Sequence, residues 1–180
     1  IQDKNILKDV SLLKSQAERC REILLRLSKN PLKLKDKFLE KVKVTDLIKI
    51  NFEKFNKNKE LDLIKNFQDH EPEIIYKDEI MYALGNIIQN AIIYARNNIK
   101  AEVTYITKEI VISISDDGKG FPKDILDKLG EPYISKDNSG MGLGIFIAKN
   151  LIENMGGKIS FKNTIQEGAI VEIRLLNSIS

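Results

Sequence analysis

The chain has 180 residues, 42% of them apolar, enough for a buried core in one domain or in one domain plus an appendage. Its 29 basic and 26 acidic side chains leave a net charge of +3 spread along the whole length, so no nucleic-acid footprint is present. No apolar run reaches the roughly 20 residues that span a bilayer, the N-terminus carries no leader pattern, and a single cysteine, Cys20, rules out an internal disulfide framework or a cysteine-rich zinc site and fits a reducing compartment.

In chain order, apolar residues fall first at Ile6, Val10, Leu13, Ala17, Cys20, Leu24 and Leu27, in steps of four and three that match the period of about 3.5 residues of a coiled-coil seam. The spacing predicts one helix over residues 1–28. Leu12 and Ile23 widen its apolar face, which favours a multi-helix bundle over a two-stranded zipper. The pattern is already under way at the first residue and reads as a truncation. Asn30-Pro31 stops the helix, because proline disfavours helical geometry in the residue before it, and PLKLKDKFLEKVK at 31–43 reads as a lysine-rich linker.

A helix is expected at 45–58, a strand at 61–67 and a short strand at 74–76. Asp78 is a candidate N-cap for a helix reaching Arg96. Period-two segments at 101–107 and 109–115 predict an antiparallel pair that runs into a glycine-rich loop. A short helix should follow Pro122, then a polar stretch, a helix over 142–155 and closing strands at 158–162 and 169–175. Helices and strands are intermixed without strict alternation, which predicts an α+β fold with helices layered on a mixed sheet and argues against a doubly wound one.

Three segments carry chemistry: ALGNIIQNAIIYA at 83–95, DDGKG at 116–120 and GMGLGIFIAKNLIE at 140–153. Asn86 and Asn90, four residues apart, project from one helix face, and carboxamide oxygens are hard neutral ligands able to share a magnesium ion with phosphate. An aspartate at a strand end can accept a hydrogen bond from an exocyclic amine, while the glycines after it admit a close backbone approach. Alternate glycines opening an amphipathic helix leave N–H groups exposed as an anion site. Each segment alone has a bland reading: exposed asparagines, a strand-ending turn, a chance glycine pattern. Their order and spacing together are hard to obtain by chance.

Together these segments resemble the N, G1 and G2 boxes of the ATPase superfamily that groups gyrase, the heat-shock-90 chaperones, histidine kinases and MutL, over residues 40–176. The resemblance implies the Bergerat ATP-binding fold, an α/β sandwich with helices on one face of the sheet, and ATP with Mg2+ as cofactors. It makes Asn90 the magnesium asparagine with Asn86 its partner, and Asp116 the reader of the adenine amino group. Gly118 and Gly120 then shape the base pocket, and Gly140, Met141, Gly142, Leu143 and Gly144 the phosphate side. EPYISKDNS at 131–139 stands where the family keeps a lid, with Tyr133 for the usual aromatic and Lys136 within reach of phosphates. Tyr94 matches an aromatic that lies against the nucleotide, whereas Ile93 departs from the basic residue that many histidine kinases place there.

Hydrolytic members carry a glutamate base where this chain has Asn86, and an amide cannot take a proton at neutral pH, so the resemblance points to a kinase. In sensor histidine kinases the phosphoacceptor histidine sits on the first helix of a dimerisation hairpin; residues 1–30 resemble the second helix, 31–41 a linker and 42–180 the ATP-binding domain. The only histidine, His70 in QDHEP, is not in a helical setting, so this chain should not autophosphorylate. LLKSQAERCREIL at 12–24 with the 140–153 segment resembles the redox-responsive RegB/PrrB type. There Cys20, between Arg19 and Arg21, is a candidate redox switch or simply a small buried residue. The implied partners are a second copy through the N-terminal helix and a response regulator receiver domain, with no nucleic acid and no direct membrane contact. The implied location is cytoplasmic, and many members are anchored in the inner membrane. Alternative readings are a nucleotide-binding dimerisation scaffold and a serine-directed kinase of the same superfamily.

Overall fold

A computed structural model describes residues 40–56, 58–67, 70–132, 143–165 and 168–176. The helix expected at 1–28 and most of the linker lie outside these residues. Three helices are described, α1 (Val44–Phe55), α2 (Asp78–Tyr94) and α3 (Leu143–Asn154). Seven strands accompany them: β1 (Lys41–Lys43), β2 (Glu60–Asn66), β3 (Glu73–Ile75), β4 (Asn98–Ile106), β5 (Glu109–Asp116), β6 (Lys158–Asn163) and β7 (Ala169–Leu176).

The main sheet has five strands in the order β2-β4-β5-β7-β6. β2 runs parallel to β4, and the other neighbours are antiparallel, so the sheet is mixed as expected. Alternation along the central strands puts one apolar row inward: Ile99, Ala101 and Val103 from β4, Ile110, Ile112 and Ile114 from β5, and Val171, Ile173 and Leu175 from β7. The helices cover that row with matching stripes. α1 buries Val44, Leu47, Ile48 and Phe52, α2 buries Ile80, Leu84, Ile87, Ile88 and Ala91, and α3 buries Ala148 and Ile152. Gly85 in α2 lets α1 come close, since a Cβ there would sit 2.9 Å from Asn51 Oδ1. The alternate residues of the strands form the opposite, polar face, with ion pairs Lys100–Glu102 and Arg174 to both Glu109 and Glu172.

Four expectations are corrected. Lys41–Lys43, read as the end of the linker, is a strand paired antiparallel with β3, Val42 opposite Ile74. Val42 alone marks it in the sequence, and pairing supplies the rest. Asp78 is the first residue of α2 and not its cap: Lys77 holds the N-cap position with no side-chain cap bond, and the Asp78 carboxylate accepts from the Tyr76 hydroxyl at 3.0 Å. α2 ends at Tyr94 and not at Arg96, because the N–H groups of Arg96, Asn97 and Asn98 turn to another acceptor described below. After Pro122 there is a turn and one 3-10 turn, Leu126–Lys128, in place of a short α-helix.

At the tip of the β4–β5 hairpin, Thr107 and Lys108 both take left-handed backbone, φ 51° and 69°. That suits the tight two-residue turn whose twist matches the strands. No described helix is long and apolar enough to cross a membrane.

Candidate functional site

The site gathers at the C-terminal ends of α2 and β5. Asn86, Asn90 and Tyr94 follow one another at four-residue intervals on α2, beside its buried stripe. The Asn86 amide nitrogen donates to the Tyr82 carbonyl one turn back at 3.0 Å. Its Nδ2 is thereby committed to the helix. Asn90, half-buried one turn later, has no side-chain hydrogen bond among the described residues. Tyr94 and Ile93 close the helix with 41% and 56% of their surface exposed.

Asp116 ends β5 in the core side of the sheet, only 8% exposed. Its Oδ1 accepts from the Gly118 N–H at 2.9 Å and from the Ala169 N–H at 3.5 Å. Among the described residues Oδ2 has no donor. Burial pushes the Asp116 carboxyl above the ordinary carboxylate range; the two backbone donors oppose the shift, and the neighbouring Asp117 charge adds to it. The backbone packs tightly around this group. A Cβ at Gly118 would lie 2.3 Å from the Tyr94 carbonyl oxygen, so only glycine lets the loop after β5 touch the end of α2. Gly168, at φ +129°, presses equally close to the Asp116 carbonyl, where a Cβ would meet the oxygen at 2.2 Å.

Two contributors have no signal in the motif reading. Asn163, the last residue of β6, accepts from the Phe121 N–H at 2.7 Å and donates to the Phe121 carbonyl at 2.8 Å. It thus holds the loop beyond Gly120 as a second strand would, with Phe121 edge-on to Phe161 at 6.0 Å. Thr164 follows, its Oγ1 buried without a hydrogen-bond partner among the described residues and close to where a Gly168 side chain would go. No sequence pattern marks Asn163, because its partner Phe121 is 42 residues away along the chain.

Of the remaining candidates, Leu143 and Gly144 open α3. Tyr133, Lys136, Gly140, Met141 and Gly142 lie outside the described residues, as does Cys20. His70 is exposed between β2 and β3, edge-on to Tyr105 at 5.8 Å, and stands apart from the α2–β5 cluster.

A nucleotide suits what is present. Asp116 offers a buried acceptor whose second oxygen is unused, and side chains at Gly118 and Gly168 would fill the space around it. Among the described residues no three His, Cys, Asp or Glu side chains converge, so a divalent ion would rest on carboxamide oxygens and on the nucleotide's own phosphates.

Comparison with known families agrees. Residues 76–179 match the family described as histidine kinase-, DNA gyrase B-, and HSP90-like ATPase. The chain belongs to that family, and the described domain is an ATP-binding domain of the kind that serves sensor histidine kinases as their catalytic domain. More narrowly, it is similar to the sensor histidine kinase RegB of Cereibacter sphaeroides, 31% identical over 192 residues that cover 92% of this chain and 41% of the relative. The chain therefore spans about two fifths of that protein's length. In fold it is similar to the mycobacterial sensor histidine kinase MprB, with a TM-score of 0.67 and 19% identity over 77% of this chain and 97% of that one. It is also similar to full-length ShkA in complex with AMPPNP, with a TM-score of 0.64 and 20% identity over 79% of this chain and 32% of that one.

Proposed function

We propose that this chain is the part of a sensor histidine kinase that binds MgATP and presents its γ-phosphate to a histidine on a dimerisation hairpin, from which a response regulator receives the phosphoryl group. The observation that carries this reading is Asp116. It is a buried carboxylate with one oxygen tied down by backbone donors and the other unspent, at a rim of close backbone, next to the line of Asn86, Asn90 and Tyr94. On this reading Asp116 accepts from the adenine amino group, with Gly118 and Gly120 under the base. Asn90 and Asn86 hold the magnesium ion against the phosphates, and residues 140–144 with the start of α3 receive the phosphate charge. The ion supplies charge neutralisation at the transferring group; the protein's part is to position and to exclude alternatives. With an amide at Asn86 where a hydrolytic relative has a carboxylate, water is not activated and the phosphoryl group is kept for its proper acceptor.

The same proposal covers organisation: 1–30 as the second helix of the hairpin and the contact with a second copy, 31–41 as linker, 42–180 as the nucleotide domain, and Cys20 as the residue to test for redox control. The RegB likeness over 92% of the chain supports it.

Calorimetric titration with a non-hydrolysable ATP analogue tests the reading. Binding should require magnesium, should weaken by about 100-fold in Asp116→Asn because the only acceptor for the amine becomes an amide, and should lose its magnesium dependence in Asn90→Ala. Absence of binding by the unaltered chain would favour a dimerisation scaffold without nucleotide chemistry.

A further inference from the structure

The turn that joins the end of α2 to the start of β4, Ala95–Asn98, has every one of its peptide groups engaged, mostly by two charged side chains from other elements. The Asp117 carboxylate accepts from three successive N–H groups: Arg96 at 2.7 Å and, with both oxygens sharing the work, Asn97 and Asn98 at 3.1 Å. From the other side the Lys59 ammonium donates to the carbonyls of Ala95 at 2.9 Å and Arg96 at 2.5 Å. The Asn97 carbonyl accepts from Glu60 N, the Asn98 carbonyl from Asp117 N, and Ala95 N returns to the Ala91 carbonyl. Lys59 is itself fixed, because the Asn56 side chain accepts from its N–H and donates to its carbonyl. α2 has no basic residue in its own last turn, so Lys59 provides from the loop before β2 the cation that a helix C-terminus attracts.

The location gives this clamp its meaning. Asp117 is the immediate neighbour of Asp116, and Gly118, the next residue, packs on the Tyr94 carbonyl. One end of the clamped turn continues into the helix that carries Asn90 and Tyr94. The other side is gripped by the loop that carries the base-reading carboxylate. The two halves of a nucleotide site are thus held at a fixed spacing through peptide groups, by residues that need not touch the nucleotide.

We propose that Asp117 and Lys59 are positioning residues for nucleotide binding, setting the register between the α2 end that faces the metal and phosphates and the Asp116 end that faces the base. This rests on the nucleotide reading above. It separates two kinds of ligand: one that occupies only the base pocket is indifferent to the register, whereas one that spans both ends depends on it.

The test measures the affinities of adenosine and of a magnesium-loaded non-hydrolysable ATP analogue, well below the unfolding temperature, for the unaltered chain and for Lys59→Ala, Lys59→Arg, Asp117→Ala and Asp117→Asn. Lys59→Ala and Asp117→Ala should bind the magnesium-loaded analogue about 10-fold or more weakly while adenosine affinity changes by less than about threefold, the loss typical when a supporting partner of a ligand set is removed. Lys59→Arg, which keeps a donor to both carbonyls, should restore most of the loss, and Asp117→Asn part of it. Equal losses for the two ligands, or none, in folded variants would overturn the proposal. Should Asp117→Ala fail to fold, the Lys59 pair decides alone. Failure of the unaltered chain to bind either ligand would instead refute the nucleotide reading itself.

Discussion

The carboxyls of the adjacent aspartates Asp116 and Asp117 are shifted in opposite directions because their surroundings differ. Burial raises Asp116. For Asp117 the upward pull of desolvation is outweighed by the N–H groups of Asn97, Asn98 and Arg96, and its carboxyl lies below the ordinary value of 3.8. A depressed aspartate stabilises the fold above its unfolded value and loses that contribution as pH falls through its folded value, so the turn should hold in mild acid. Asp116 behaves oppositely: burial disfavours its ionised form, and acid relieves that cost. On the proposed reading, adenine recognition nevertheless needs the carboxylate. Nucleotide affinity should therefore fall on acidification at a higher pH than an ordinary aspartate would dictate, approaching 10-fold per pH unit, while circular dichroism still reports a folded chain. An affinity that stays flat until pH nears 3.8 would show that Asp116 does not read the base.

Among elements, the loop after β5 is the most constrained, and small substitutions there should have large effects. Gly118→Ala forces a methyl group onto the Tyr94 carbonyl. It should cost about 1–3 kcal/mol of stability in denaturant titrations and also weaken nucleotide binding, since the end of α2 must move. Asn163→Ala leaves both peptide groups of Phe121 without their partner and should cost roughly 1–3 kcal/mol, although the residue belongs to no motif.

Strands that bury an alternate row, such as β4 and β5, are legible in the sequence to within a few residues because their pattern is written locally. β1 is not: KVK holds one apolar residue and becomes a strand only through β3. The DDGKG and NIIQN segments announce Asp116, Gly118, Asn86 and Asn90 because the chemistry lies in neighbouring residues. Lys59, Asp117 and Asn163 stay silent, since a lysine in a loop, the second aspartate of a pair and an asparagine at a strand end take their roles from partners 37, 20 and 42 residues away.

At the scale of the whole described domain, stability rests on one apolar layer between the helices and the sheet. Ile112, fully buried in the central strand β5, should cost about 2–5 kcal/mol when replaced by alanine, seen as a lowered unfolding midpoint with nucleotide affinity of the folded fraction unchanged. The sole histidine is His70, exposed against Tyr105. Incubation with labelled MgATP should therefore leave no acid-labile phosphate on this chain, and phosphate on His70 would contradict the assigned division of labour.

β5 also separates two ends of the described domain. Asp116 stands at one end of the strand and the Thr107–Lys108 tip lies just beyond the other, about 27 Å away at the usual rise of an extended chain. That tip is a handle: a fluorophore, a short insertion or new chain termini placed there would travel with the sheet without reaching the pocket, so nucleotide binding could be read out or tethered from the far side of the domain.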